Sequence, residues 1–171
     1  MSKTVVILDR SDGSLEETKH AIHQPVSTMI QDPQVRRSVV FLLAHSGEEA
    51  VSLLRHPSRF IPPYFVIANW RLSHGEEGLR SIQLIERAFH GSIIDAVLMG
   101  PVGSQTTLLS ERKQDGVFLV KGRVTNRKIR DEVLPLVMRF VEGGYHHSTI
   151  RFSPASRSTP PPRPPLAHPF Q

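Results

Sequence analysis

The stretch Thr4-Val5-Val6-Ile7-Leu8-Asp9-Arg10-Ser11-Asp12-Gly13-Ser14-Leu15-Glu16-Glu17 decides the fold. Its first five residues are an unbroken apolar and β-branched run without polar alternation, the pattern of a strand buried on both faces. The run stops at the polar turn Asp9-Arg10-Ser11-Asp12-Gly13. Ser14-Leu15-Glu16-Glu17 then has the S-x-x-E spacing of a helix capping box. A helix is predicted from there to about Met29, its second half weakened by Pro25. The order is strand, polar turn, helix.

Working outward, the same order recurs. Asp32-Pro33 breaks the chain, and Ser38 to Ala44 reads as a second buried strand. Ser46-Gly47-Glu48-Glu49 is another capping box, with Ala50, Val51, Leu53 and Leu54 on one helical face. After a loop from Pro57 to Pro63, Tyr64-Phe65-Val66-Ile67-Ala68 is a third strand, ending at Asn69. Ser73-His74-Gly75-Glu76 caps a helix that carries Leu79, Ile82, Ile85 and Phe89. Ile93 to Met99 is a fourth strand, with Gly100-Pro101-Val102-Gly103 as its exit turn and a weak or irregular segment over Ser104 to Lys113. Val117-Phe118-Leu119-Val120 is a short fifth strand, followed by Lys121-Gly122. Thr125 caps a last helix, where Ile129, Val133, Val137 and Phe140 recur at helical spacing. Five such units predict a three-layer α/β sandwich around an open, five-stranded parallel sheet.

Composition narrows the function classes. The chain has 171 residues and no cysteine, so disulfides, thiolate metal sites and cysteine nucleophiles are excluded. No apolar run is long enough to cross a bilayer. The N-terminus reaches Asp9 without a leader pattern, so a cytoplasmic protein is expected. The net charge of +5 suggests nucleic acid until it is partitioned. Seven of the 14 prolines lie in residues 151–171, with Arg151, Arg157 and Arg163 and no acid, leaving 18 basic against 16 acidic side chains in residues 1–150. Residues 1–143 are therefore expected to form the domain and 144–171 a disordered Pro/Ser/Arg-rich tail. Pro160 to Pro165 could dock an aromatic-lined groove as polyproline II, or simply extend into water.

Function in such sheets sits beyond the carboxyl ends of the strands. Here those ends carry Asp9 and Arg10, Asn69 followed by Trp70-Arg71-Leu72, Met99 or Gly100, and Lys121. With the Ser-Gly-Glu-Glu-Ala helix start after strand two, this ordered set resembles the receiver domain of two-component response regulators over residues 3–142. The resemblance implies the flavodoxin-like strand order 2-1-3-4-5. It also implies that Asn69 stands at the phosphoacceptor position and Asp9 and Arg10 at the acidic, Mg²⁺-holding positions. Met99, Gly100, Phe118 and Lys121 stand at switch positions. The sequence departs from the family at most of them: Asn69 replaces the acceptor aspartate, Arg10 one metal-binding acid, and Met99 or Gly100 the usual small hydroxyl. Gly122 replaces the proline after the lysine.

A family site of three carboxylates and one lysine sums to −2, suited to a hard divalent cation. Asp9, Arg10, Asn69 and Lys121 sum to +1, and an amide oxygen cannot form an acyl phosphate. Asp12 could add one carboxylate but no acceptor. Arg10 either fills the cation position, bonding Asp9 or Asn69, or points to solvent. Phosphotransfer, metal and cofactor are therefore all expected to be absent.

Lys121, Arg123, Arg127, Lys128 and Arg130 put five cations within ten residues, a face for an acidic protein partner or a solvated helix flank. His20 with His23, and His146 with His147, lack a third ligand at fixed spacing. No nucleophile elbow or phosphate loop occurs. No DNA- or RNA-recognition signature occurs either, and no direct sequence-specific nucleic-acid binding or membrane association is expected. The expectation is a stand-alone pseudo-receiver in two-component-type signalling, not an enzyme. It would act by protein contact with a sensor kinase, another signalling protein or a second copy of itself. The alternatives are a sensor of a small anion in an Arg10/Lys121 pocket and a small flavodoxin-like enzyme.

Overall fold

The computed structural model describes residues 2–56, 58–72, 78–100 and 117–143, with backbone alone at Ile94, Phe118, Leu119 and Lys121. Strands β1 (Lys3–Leu8), β2 (Val39–Ala44), β3 (Tyr64–Asn69), β4 (Ile93–Gly100) and β5 (Val117–Lys121) form one sheet in the order β2-β1-β3-β4-β5. Every pairing is parallel. The strand order matches the expectation from the resemblance.

Continuous apolar runs work here because each strand feeds two cores. Val6, Leu8, Val66, Ala68, Ala96 and Leu98 face α3 (Gly47–Leu54) and α4 (Gly78–Ala88). Val5, Ile7, Phe65, Ile67, Val97 and Met99 face the opposite layer, packing with Ile22 and Val26 of α1 (Asp12–Met29) and with Val133, Val137 and Phe140 of the last helix. A strand covered on both faces has no solvent side to mark with polar residues. Among the described residues, no helix is long and apolar enough to cross a membrane.

Local chemistry sets the element ends, and it corrects the sequence reading in three places. The first helix starts at Asp12, not after Ser14: Ser11 is its cap, and the Ser11 hydroxyl accepts from the Ser14 N–H at 3.3 Å. It also runs unbroken through Pro25, because Ile22 and Val26 are buried on either side of the proline. Asp32-Pro33 opens a short helix, α2 (Pro33–Arg37), with the Asp32 carboxylate accepting from the Gln34 N–H at 2.8 Å. Proline suits a first helical position, where its missing N–H costs nothing. The caps at Ser46 and Thr125 stand where the sequence puts them, accepting from Glu49 N and Lys128 N. The expected cap at Ser73 to Glu76, the Pro101-Val102-Gly103 turn, the Ser104 to Lys113 segment and the tail lie outside the described residues.

The last helix is less regular than its spacing suggests. α5 (Asn126–Lys128) passes through a π turn (Ile129–Val133) into α6 (Leu134–Glu142). Within that turn the Leu134 N–H reaches back five residues to the Ile129 carbonyl. Pro135 follows immediately, with no N–H for the Asp131 carbonyl and a ring that would crowd it in a regular helix. A wider turn relieves both. At the far end, the Lys3 ammonium donates to the Phe140 and Val141 carbonyls at 2.8 and 2.7 Å. It thereby joins the first strand to the closing turn of α6, and its partial burial holds its pKa below the ordinary lysine value.

Candidate functional site

The carboxyl ends of β1 and β3, the start of α1 and the turn after β5 border a cleft of about 640 Å³. Asp9, Arg10, Ser14, Glu17, Thr18 and Asn69 line one part of it. Arg71, Arg123, Val124, Thr125, Asn126 and Ile129 line the rest. The topology thus brings together Asp9, Arg10 and Asn69.

Their geometry is specific. Asp9 is buried, 3% exposed, and both of its carboxylate oxygens are bonded. Oδ1 accepts from the Arg10 backbone N–H at 2.6 Å, and Oδ2 accepts from the Asn69 side-chain amide at 3.3 Å. Asn69 Oδ1 in turn accepts from the Arg71 N–H at 3.2 Å, which fixes which end of the amide faces Asp9. The amide supplies a donor where an aspartate would supply a second negative charge. The contact that two acids could make only around a cation is made here directly.

Arg10 is exposed at the rim of the cleft. Asp12 turns away from the cleft, its Oδ1 lying 2.9 Å from His45 Nε2. It does not supply the extra carboxylate considered from sequence. Met99 is buried and pairs in register with Asn69. Gly100 follows at φ 130°, where a Cβ would lie 3.2 Å from Trp70 Cβ and 3.4 Å from Asn69 Oδ1. A hydroxyl-bearing residue at that position would be both strained and crowded. Lys121 and Phe118 are placed by backbone register alone, opposite Gly100 and Val97.

This donor set does not fit Mg²⁺. The ion takes near-octahedral oxygen ligands, with carboxylates in the lead. Of the two carboxylates lining the cleft, Asp9 already accepts from two N–H donors and Glu17 is the other, and three arginines line the same space. Among the described residues, no group of three or more His, Asp or Glu side chains could hold a metal.

The cations of the fifth-strand region do not form a single patch. Arg123 lines the cleft, while Lys128 is half-buried with its ammonium 3.0 Å from a Cβ position on Gly122. Arg127 is exposed and pairs with Asp131 at 3.4 Å. Arg130 borders a separate groove with Glu16, Glu17, His20 and Gln24 of α1. Sequence reasoning missed Arg71, Glu17 and Asn126 as cleft residues. The signal for Arg71 was its place two residues beyond the end of the third strand.

It also missed a clamp beside the cleft. His45, directly after β2, bonds Asp12 through Nε2 and Glu49 through Nδ1 at 3.2 Å. Desolvation works to lower the His45 pKa. Hydrogen bonds to Glu49 and Asp12, with their charges, outweigh it and leave the pKa above the ordinary histidine value. A raised folded pKa stabilises fully below the unfolded value of about 6.5 and loses that contribution as pH rises through the folded value. Because the pair is well exposed, the expected effect is below about 1 kcal/mol. Urea unfolding at pH 5.5 and 8.5 should show it in the wild type, and His45→Gln should remove the difference. An unchanged difference in the variant would assign it elsewhere.

No protein-family model and no curated protein matches this sequence. Among solved structures, a two-component response regulator from Clostridium difficile is similar at 14% identity and a TM-score of 0.53, over 84% of this chain and 97% of that one. The anti-anti-sigma factor PhyR from Bartonella quintana is similar at 15% identity and a TM-score of 0.49, over 84% of this chain and 50% of that one. The first likeness, with the parallel β2-β1-β3-β4-β5 sheet, shows that the chain has a receiver-like fold.

Proposed function

We propose that the chain is a pseudo-receiver, a signalling module that acts through protein contact without being phosphorylated and without catalysing a reaction. The observation that carries this reading is the Asn69–Asp9 hydrogen bond at the end of β3. An amide there offers no anionic oxygen for an acyl phosphate, and its N–H donates a hydrogen bond to the acid that would otherwise need a cation. Residues 1–143 act as the receiver-like unit, and 144–171 as its Pro/Ser/Arg-rich tail.

The contact surface is proposed at the start of the last helix, where Arg127 and Arg130 are exposed. It suits an acidic face on a sensor kinase or another signalling protein. Charge complementarity of this kind mainly raises the association rate and suppresses wrong partners.

Incubation with acetyl phosphate and Mg²⁺, read by intact mass, tests the central claim. No stable phosphoprotein is expected. A stoichiometric adduct at Asp9 or elsewhere in the cleft would overturn it. Partners captured with and without acetyl phosphate should be the same, and Arg127→Glu with Arg130→Glu should release them.

A further inference from the structure

We propose that the strand-end cleft binds a phosphate-class oxyanion, held by Arg10, Arg71 and Arg123. The proposal rests on the reading above, that the site takes neither a divalent cation nor a phosphoryl group on Asn69. It names what the same space takes instead.

The three arginines come from three separate connections. Arg10 follows β1, Arg71 lies two residues beyond β3, and Arg123 lies two residues beyond β5. Three strand spacings separate β1 from β5, about 14 Å across the sheet. Side chains entering from both ends and the middle of that span therefore surround one volume. No short sequence interval encodes the convergence; the strand order creates it.

Charge accounting gives the sign of the occupant. Among the described residues, the cleft lining has three arginines against Asp9 and Glu17, a formal +1. Asp9 already accepts from Arg10 N and Asn69 Nδ2, so its oxygens are engaged at the floor. Among the described residues, the ion pairs include neither Arg71 nor Arg123. Guanidinium groups on a concave surface above a buried floor focus positive potential into the space between them. Their planar forks match the oxygens of a phosphate bidentately, which an isolated lysine does not do.

Volume and neutral groups refine the class. About 640 Å³ exceeds what one inorganic phosphate fills. It falls within the roughly 300–1,000 Å³ of small-molecule sites. Ser14, Thr18 and Asn126 line the cleft as neutral hydrogen-bonding side chains. A phosphomonoester fits this composition better than a bare anion, its phosphate on the arginines and its organic part along α1.

The test titrates inorganic phosphate and adenosine monophosphate separately into the full chain without Mg²⁺, with sodium chloride at matched ionic strength as control. Calorimetry and thermal melting read the binding. Both phosphates should bind saturably, the monophosphate more tightly, while chloride should not. Arg71→Gln with Arg123→Gln should raise Kd by at least about tenfold, the loss expected for one charge-assisted hydrogen bond. Arg55→Gln, on the opposite end of α3, should leave Kd unchanged. Both cleft arginines are exposed, so the double variant should fold, and its far-ultraviolet spectrum checks this.

Absence of saturable binding would overturn the proposal, as would equal affinity in the double variant. Tighter binding of inorganic phosphate than of the monophosphate would overturn the assignment to a phosphomonoester. The acetyl phosphate experiment fails or succeeds separately. A phosphorylated chain sinks the pseudo-receiver reading, whereas an unphosphorylated chain that ignores phosphate sinks only the anion site.

Discussion

Replacing Asn69 with aspartate is expected to cost about 2 kcal/mol at pH 7.5, the scale of a lost hydrogen bond to a charged partner. The amide nitrogen now donates to Asp9 Oδ2 at 3.3 Å. A carboxylate oxygen in its place would face a second carboxylate across the same gap, above a buried floor. Two acids so placed cannot both ionise freely, and the pair holds a proton to higher pH than either acid alone. The folded pKa of the pair would lie above the unfolded value of about 4. The penalty of Asn69→Asp should therefore shrink at pH 4.5, where one shared proton restores a donor, and grow as pH rises towards 7.5. Chemical denaturation at the two pH values measures it. A variant as stable as the wild type at pH 7.5 would show that the Asn69–Asp9 contact contributes nothing.

Gly78→Ala is expected to be more damaging still, at about 3 kcal/mol, the upper range for overpacking a tight contact. A Cβ at Gly78 would press into the Asn69 backbone carbonyl and lie 2.8 Å from Leu98 Cδ1. The carbonyl cannot retreat without moving the end of β3. The glycine N–H bonds the Trp70 carbonyl at 2.8 Å, so the start of α4 is held to the same turn. Relief of the clash must displace either that helix or Asn69. The amide resonances of Asn69 should therefore shift along with the unfolding midpoint. A variant within about 0.5 kcal/mol of wild type, the usual range for a neutral surface change, would mean that the turn yields freely.

The strands were legible because burial on both faces writes itself as an uninterrupted apolar run. Caps at Ser46 and Thr125 were legible for a similar reason, since a hydroxyl three residues before its N–H partner is a local pattern. Ser11 and Ser14 were confused because both offer a hydroxyl, and because Gly13 looks like part of a turn while in fact lying within the first helical turn. The run through Pro25 was hidden by a local rule that tertiary packing at Ile22 and Val26 overrides. Asp9 and Asn69 could be named from sequence as strand ends. Their hydrogen bond could not, since it joins residues 60 positions apart across adjacent strands. Arg71 and Arg123 share no spacing at all, and the sheet alone makes them neighbours of one cleft. The π turn was signalled by Leu134-Pro135, and regular apolar spacing on either side concealed it.

Lys3 has a consequence for anyone handling the protein. Its ammonium ties the first strand to the closing carbonyls of α6, so residues 3 and 141 meet at the amino edge of the sheet. The cleft opens at the opposite edge, a strand length of about 17–20 Å away. A fluorescent reporter or immobilisation handle joined at either end of residues 3–143 therefore starts on the far side from the arginines. Two fluorophores joined there begin as near neighbours, so energy transfer between them reports opening of that seam while the cleft stays free for titration.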